Sequence, residues 1–478
     1  MDAEPRRGAV GARAPSELDE GVVIVLPSLS FPPEELRKIV GIQHYEERLL
    51  CLLLLLRNPR LKMLYITSLR VPEPIVDYYL SLLDDPAHAA DRLYVMSLGD
   101  LSIRPLTEKV LDHPYAAKRI RELAGGAEQS YILPFNVTEL EVRLAEETGV
   151  ALYGAPLHLV HLGSKSGSRK VAKRAGVPVL AGAEDIYDLD VLEDEIQRLR
   201  AEQPGAGAAV IKLNDGFSGQ GNAIVELESV TGRLVDSRTV FCAGEENWET
   251  FGPKIQLGGA VVELLLRDPG IASPSVQMRI LPDGSDEVIS THDQLLGGPD
   301  DQVYLGCRFP AHLSYRSLIQ DHARSVARVL AAEGVIGSFA MDFLVTPVGE
   351  TYLSEINLRM GGTTHPFLMV RHATCGRYDE ASGELVTDAG PRCYVATDNL
   401  KSPSYVGLDP VEVMRAVRAE GLAYDRAAQT GIFLHLLGAL RSYGKLGATC
   451  VGESTDDADE LYDALVDLLE ELSALHGP

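Results

Sequence analysis

Between residues 21 and 160 the chain alternates short apolar runs with longer stretches of helical spacing. The runs are Val22–Leu26, Met63–Thr67, Leu93–Ser97 and Tyr131–Pro134. Nearly continuous apolar character over so few residues suits strands buried on both faces. Between them, Glu46–Leu56, Pro74–Leu83, Thr107–Leu123 and Glu139–Glu147 carry helix-like spacing. Strand and helix in turn predict an α/β domain over 21–160 with a mostly parallel sheet.

A different rhythm runs from 161 to 395. It opens with a helix, Ser166–Ala175, stopped by Gly176-Val177-Pro178. A second helix, Asp188–Arg200, ends at a Pro/Gly break, Gln203-Pro204-Gly205-Ala206-Gly207. Strand-like runs follow at Ala209–Leu213, Ala223–Leu227, Ala260–Leu266, Val276–Leu281, Glu287–Thr291, Ser338–Val345 and Thr351–Asn357. One long helix, Leu318–Ala332, precedes the last two. This mixture predicts an α+β region of two lobes. Lys401-Ser402-Pro403-Ser404 reads as a linker, and 404–478 as a small α+β domain with helices Pro410–Glu420 and Ala458–Leu472 around a strand, Gly431–Leu437.

Composition narrows the function classes. At ~150 residues per domain, 478 residues give roughly three. The net charge of −25 argues against a sequence-tolerant nucleic-acid binder, which needs a basic face for phosphates. A local cationic pocket is still compatible with it. The greasiest run, Leu49–Leu56, is far short of the ~20 residues that span a membrane. Residues 1–20 lack an apolar signal-peptide core and read as a disordered tail. Six scattered cysteines without a CxxC pair suit a reducing, cytoplasmic setting.

Candidate chemistry concentrates in four segments. In the first, the strand ending at Lys212-Leu213 runs into Gly216-Phe217-Ser218-Gly219-Gln220-Gly221 and then a second strand. Glycines let a loop fold over a ligand with its N–H groups exposed to phosphate oxygens, and Lys212 adds a positive charge. The spacing is GxxGxG, so neither the dinucleotide fingerprint nor GxxxxGK[ST] fits. An ordinary long hairpin turn has the same composition.

In the second, Met341–Val345 and Thr351–Arg359 read as a hairpin turning around Val348-Gly349. That turn sets Asp342 opposite Glu355. Directly opposed like charges are destabilising, so the pair points to a divalent cation between them. Glu355, Asn357 and Arg359 alternate along one face. Oxygen ligands without His or Cys suit Mg²⁺ that also holds phosphates. A solvated strand face is the competing reading. The other two segments are Gly163–Lys170, where Lys165 precedes a basic helix and either reaches a phosphate at its N-terminus or is a surface lysine in a basic patch, and Val261–Leu266, an apolar run with one acid, Glu263, that suits either an adenine wall or a core strand.

In this order, the four segments resemble the ATP-grasp superfamily over roughly residues 160 to 375. The resemblance implies a pre-grasp α/β domain followed by a two-lobed α+β ATP-grasp fold. It places Lys165 and Lys212 on the two nucleotide lysines, and Gly216, Phe217, Ser218, Gly219, Gln220 and Gly221 on the loop over the phosphates. Glu263, Leu264 and Leu266 fall on the adenine hinge, and Asp342, Glu355 and Asn357 on the magnesium ligands. Arg359 falls near the transferred phosphate. Many relatives place an arginine two residues before the metal aspartate; Ala340 stands there, which leaves Arg359, Arg279 or Arg308 to hold an acyl phosphate. Many also carry a polar residue after the hinge glutamate, where Leu264 stands, so adenine recognition would rest on main chain.

The three-part layout is similar to that of the pheganomycin-type peptide ligases of antibiotic biosynthesis. This implies ATP and Mg²⁺ as cofactors, a small amino-acid-like carboxylate as one substrate and a peptide amine as the other. ADP, phosphate and an amide are the products, with an acyl phosphate between. No nucleic-acid or membrane partner is expected, and a homodimer stays open. A biotin-type carboxylase activating bicarbonate and a non-catalytic nucleotide-binding regulator are the alternatives. His365 lies near in sequence and reads first as a structural histidine.

Overall fold

The computed structural model describes residues 20–125, 130–216, 221–298 and 303–476; the tail expected over 1–20 lies, but for Glu20, outside them. Strands β1 (Gly21–Leu26), β2 (Leu61–Thr67), β3 (Leu93–Ser97), β4 (Ser130–Pro134) and β5 (Ala151–Leu152) form a sheet in the order β3-β2-β1-β4-β5, and every pairing is parallel. Helices cover both faces, which explains the continuously apolar runs.

Two helix expectations are corrected here. The stretch read as a helix over Glu46–Leu56 is a tighter 3₁₀ helix from Ile42 to Arg57, buried from Tyr45 through Leu56. The helix expected over Thr107–Leu123 is two, Leu106–Asp112 and Ala116–Ala124. Pro114 lies in the gap, where it lacks an N–H and its ring would clash with the preceding turn.

Strands β6 (Gly182–Ile186), β7 (Ala208–Leu213), β8 (Asn222–Glu226), β9 (Thr239–Phe241) and β10 (Ala260–Leu265) make an antiparallel sheet, β6-β10-β7-β8-β9. Helices Leu189–Glu202 and Trp248–Gly258 contribute to a separate core with it, around Leu192, Ile196, Ile211, Val225 and Phe251. The former starts at Asp188, whose carboxylate accepts from the N–H groups of Asp190 and Val191.

The remaining strands form one large sheet: β11 (Pro274–Ile280), β12 (Asp286–Gly297), β13 (Val303–Phe309), β14 (Gly337–Val345), β15 (Thr351–Asn357), β16 (Arg377–Asp379), β17 (Glu384–Thr387), β18 (Gly390–Lys401), β19 (Gly431–His435) and β20 (Lys445–Gly452). The long helix, Leu313–Glu333, packs against β11 and β12. β18 pairs with β13 on one side and β20 on the other, so the C-terminal segment extends this sheet. Lys401, expected in a linker, ends that paired strand, and Ser402 caps a 3₁₀ turn at Pro403–Tyr405. We keep 21–160, 161–395 and 404–478 as the proposed division of the chain.

The β14–β15 hairpin sets the spacing of the candidate acids. Its tip pairs Val345 with Thr351 and Phe343 with Leu353; this numbering alone would bring Ser354 opposite Asp342. A bulge at Ser354 inserts one residue, and Asp342 pairs with Glu355 as expected from sequence. Ser354 and Glu355 consequently both face away from the core, while Leu353 and Ile356 are buried.

Three buried histidines and the half-buried His372 make stability depend on pH. Burial pushes His292 and His372 down to about 3 and His435 to about 4, and holds His365 well below the ordinary imidazole range. A depressed folded-state pKa means the unfolded chain binds more protons. The stabilisation is therefore complete above about pH 6.5 and declines as pH falls from there toward the folded values. Urea midpoints are expected to drop between pH 7 and 5. His372→Leu should make that slope shallower, by up to about 1.4 kcal/mol per pH unit. A flat midpoint over this range would contradict the account.

Candidate active site

Lys165 and Lys212 come from different elements and meet through Asn214. Lys212 lies near the end of β7, and Lys165 is the first residue of helix Lys165–Ala175. The Asn214 carbonyl accepts from the Lys165 N–H at 3.2 Å, and its side-chain oxygen accepts from the Ser166 N–H at 3.0 Å. Ser164 accepts from the Gly167 N–H at 3.0 Å. The start of this helix is therefore capped by protein groups, which corrects the expectation of a phosphate seat at its N-terminus. The Lys165 side chain alone faces the cleft. Past Asn214, Gly216 and Gly221 form the neck of the glycine-rich loop: a Cβ on Gly221 would come within 2.9 Å of the Gly216 Cα. Phe217, Ser218, Gly219 and Gln220 lie outside the described residues.

Both lysines line a cleft of about 770 Å³, together with Gly216, Leu264, Leu266, Asp342, Ser354, Glu355, Asn357 and Arg359. The small antiparallel sheet supplies one side of it and the β14–β15 hairpin another. Lys165 ion-pairs with Glu355. Lys212 donates to the Ser354 hydroxyl at 3.2 Å and pairs with Glu263 at 2.8 Å. Burial, with repulsion from Lys212 and Arg359 added, brings Lys165 down to about 7. Burial likewise raises Asp342 above the usual carboxylate range, despite the nearby cations.

The acids share one amide. Asn357 Nδ2 donates to Asp342 at 3.1 Å and to Glu355 at 2.8 Å; its Oδ1 accepts from Arg359 at 2.8 Å. Gln294 also donates to Asp342, at 2.8 Å. Among the described residues no group of three or more His, Cys, Asp or Glu is placed to hold a metal. The set here is two carboxylates and one amide. That donor chemistry fits Mg²⁺, which takes its other ligands from phosphate and water.

Three expected residues lie elsewhere. Arg279 is paired with Glu287, its direct cross-strand neighbour, at 3.1 Å and does not line the cleft. Arg308 reaches Asp459 of the C-terminal helix at 2.8 Å and is also off the cleft. Arg359 alone of the three candidate arginines is in place. Glu263, expected to meet adenine, is sealed between Lys212 and Arg169. Burial pushes its carboxyl up, but the two cations outweigh that and hold it below the usual range. Its part is to orient Lys212. Leu264 and Leu266 do line the cleft, and the Leu264 N–H is taken by the Ala181 carbonyl at 2.8 Å. His365 lies off the cleft and packs edge-on against His435, with ring centroids 4.8 Å apart.

Sequence reasoning missed several cleft residues. Ser354 had a signal, since Leu353 and Ile356 are three apart and break strict alternation. Ser275, directly opposite Asp342 on β11, and Gln294 on β12 carried no local mark. Tyr45 and Arg48 lie hundreds of residues from Asp398 and Lys445, and the two pairs join the cleft only through tertiary structure.

Lys212 of the small sheet thus meets Lys165, whose helix packs on β15 and the long helix, and the facing acids of the hairpin in one cleft between two lobes, an arrangement suited to a nucleotide's phosphates. Residues 158–239 and 233–356 match an "IQCH-like, ATP-grasp" family model, and residues 412–465 match a "PGM1 C-terminal domain". The L-propargylglycine–L-glutamate ligase of Streptantibioticus cattleyicolor is 31% identical over 451 residues, 91% of each chain. The chain belongs to the ATP-grasp ligases, among those of the pheganomycin type. IQ motif-containing protein H of Danio rerio is 22% identical over 95% of this chain, which spans 48% of that protein. Biotin carboxylase of Campylobacter jejuni shares the fold, with a TM-score of 0.54 at 13% identity over 93% of this chain and 90% of that one. So does N5-carboxyaminoimidazole ribonucleotide synthetase of Thermus thermophilus, with 0.53 at 14% identity over 94% and 98%. No helix among the described residues is long and apolar enough to cross a membrane.

Proposed function

We propose that this ATP-dependent ligase joins a small amino-acid-like carboxylate to the amine of a second amino acid or a peptide. A substrate carboxylate oxygen attacks the γ-phosphorus of ATP, ADP leaves, and an acyl phosphate forms. The amine then attacks the acyl carbon, phosphate departs, and the amine nitrogen loses a proton. A carboxylate is a poor electrophile; phosphorylation turns one of its oxygens into a leaving group. Phosphoryl transfer needs mainly positioning and charge neutralisation, and the cleft offers both.

In this reading Lys165 and Lys212 bind the nucleotide's phosphates. Glu263 holds Lys212 in position. Arg359 steadies the charge on the transferred group, and the apolar Leu264 and Leu266 border the base. Asp342, Glu355 and Asn357 would hold Mg²⁺, which supplies further neutralisation of the phosphates when bound. The single observation that carries the proposal is the convergence of both lysines, both acids and Arg359 on one cleft.

The full-length relationship to a ligase of two amino acids favours amino acids as substrates. Phosphate release should be screened over small L-amino acids paired with one another and with short peptides. L-Glutamate with L-propargylglycine belongs in that panel. ATP-dependent amide formation with ADP as product is expected. AMP as product, or ADP release that needs bicarbonate and no amine, would overturn the reading.

A further inference from the structure

The same cleft has a charged wall that the phosphate chemistry leaves unused. It is formed by Tyr45, Arg48, Asp398, Lys401 and Lys445. Arg48 comes from the buried 3₁₀ helix, Asp398 and Lys401 from β18, and Lys445 opens β20. Lys401 and Lys445 are direct cross-strand partners, a like-charge juxtaposition that costs stability unless an anion offsets it. One carboxylate, Asp398, stands against three cations.

Arg48 is only partly satisfied. Its Nη1 donates to Asp398 at 3.1 Å, while Nε and Nη2 are buried with no hydrogen-bond partner among the described residues. Those two nitrogens are a parallel donor pair, spaced for the two oxygens of one carboxylate. The guanidinium packs over the rings of Tyr45 and Phe135, at 4.8 and 4.9 Å from their centroids, which fixes its plane. Lys445 is also buried and donates to the Tyr45 hydroxyl at 2.7 Å. Burial, with repulsion from Lys401 and Arg48, lowers it to about 8 despite Asp398. Buried cations in excess of their counter-charges are costly, and an anionic ligand removes that cost.

We propose that Arg48 and Lys445 form a carboxylate-recognition subsite for a free carboxylate of an amino-acid substrate, one that is not itself activated. This rests on the ligase function proposed above, which brings amino acids into the cleft. The carboxylate belongs either to the amine partner or to a dicarboxylic acid partner; the chemistry is the same. Asp398 holds the guanidinium in place.

The test is calorimetric binding to the full chain loaded with MgADP. The probes are L-glutamate, L-propargylglycine, the α-carboxamide of each, L-glutamine as the side-chain amide of glutamate, and inorganic phosphate. At least one free acid should bind about ten-fold or more tightly than its amide, as expected of a charge-assisted bidentate contact. In Arg48→Gln that preference should shrink to about two-fold while ATP affinity is kept. Lys445→Met should move the same way and serves if the Arg48 variant does not fold. The probe that loses its preference tells which partner docks there. Equal binding of acid and amide by the unmodified protein, an unchanged preference in both variants, binding of phosphate alone, or no probe bound would each overturn the subsite. A preserved preference for the acid with no ADP released from any acid–amine pair would retire the ligase reading alone.

Discussion

Glu355→Gln is expected to lower ATP-dependent ligation by about a thousand-fold, with the fold intact. The substitution keeps the side chain's size and an oxygen to accept from Asn357. It removes the negative charge that faces Asp342 across the hairpin and pairs with Lys165. The proposed cation site falls from two carboxylates to one, and Lys165 loses its anchor in the cleft. ADP formation at saturating ATP and Mg²⁺, read beside the thermal melt, separates lost chemistry from lost structure. Unmodified turnover in a folded Glu355→Gln chain would defeat the assignment of this hairpin.

Arg169→Met should cost about 3–5 kcal/mol of stability, although Arg169 lies off the cleft. The guanidinium is 2% exposed and bonds three partners: Glu263, Glu184 at 3.0 Å and the Leu180 carbonyl at 3.0 Å. Methionine has similar bulk but no charge, so it leaves the buried Glu263 with Lys212 alone. Breaking a buried ion network by removing one member is far worse than never building it. Adding Glu263→Gln to Arg169→Met should therefore recover part of the loss. Urea denaturation of the two variants checks both statements. A cost under about 1 kcal/mol for Arg169→Met would show that the small lobe does not depend on this pair.

Much of this architecture could be read from apolar spacing alone. The strands Leu93–Ser97 and Thr351–Asn357 have the limits that their patterns predict. The elements that escaped have compositions shaped by tertiary demands. Gly306 in β13 weakens the strand signal, yet a Cβ there would lie 2.4 Å from the Ala396 carbonyl of the neighbouring strand. Helix Trp248–Gly258 contains Pro253 and Gly252, and β6 reads Gly-Ala-Glu-Asp-Ile, with little apolar character. At the site, the lysines and acids were legible because each sits in a local pattern. Arg279 and Arg308 were candidates by residue type alone, and their partners, Glu287 and Asp459, cannot be inferred without the sheet. The same limit hid Arg48 and Lys445, which are brought together only by chain pairing at long range.

The extra residue at Ser354 separates the hairpin's tip from its working end. Lengthening or trimming Pro347–Glu350 alters only exposed chain, because pairing beyond Ser354 is also held by β11 through Asp342 and its neighbours. Deleting Ser354 itself would leave Glu355 next after Leu353 and still opposite Asp342, with Ile356 inward and Asn357 outward, and would remove only the bulge and the hydroxyl that receives Lys212. Natural variation in length within this class of enzyme should therefore gather at the tip.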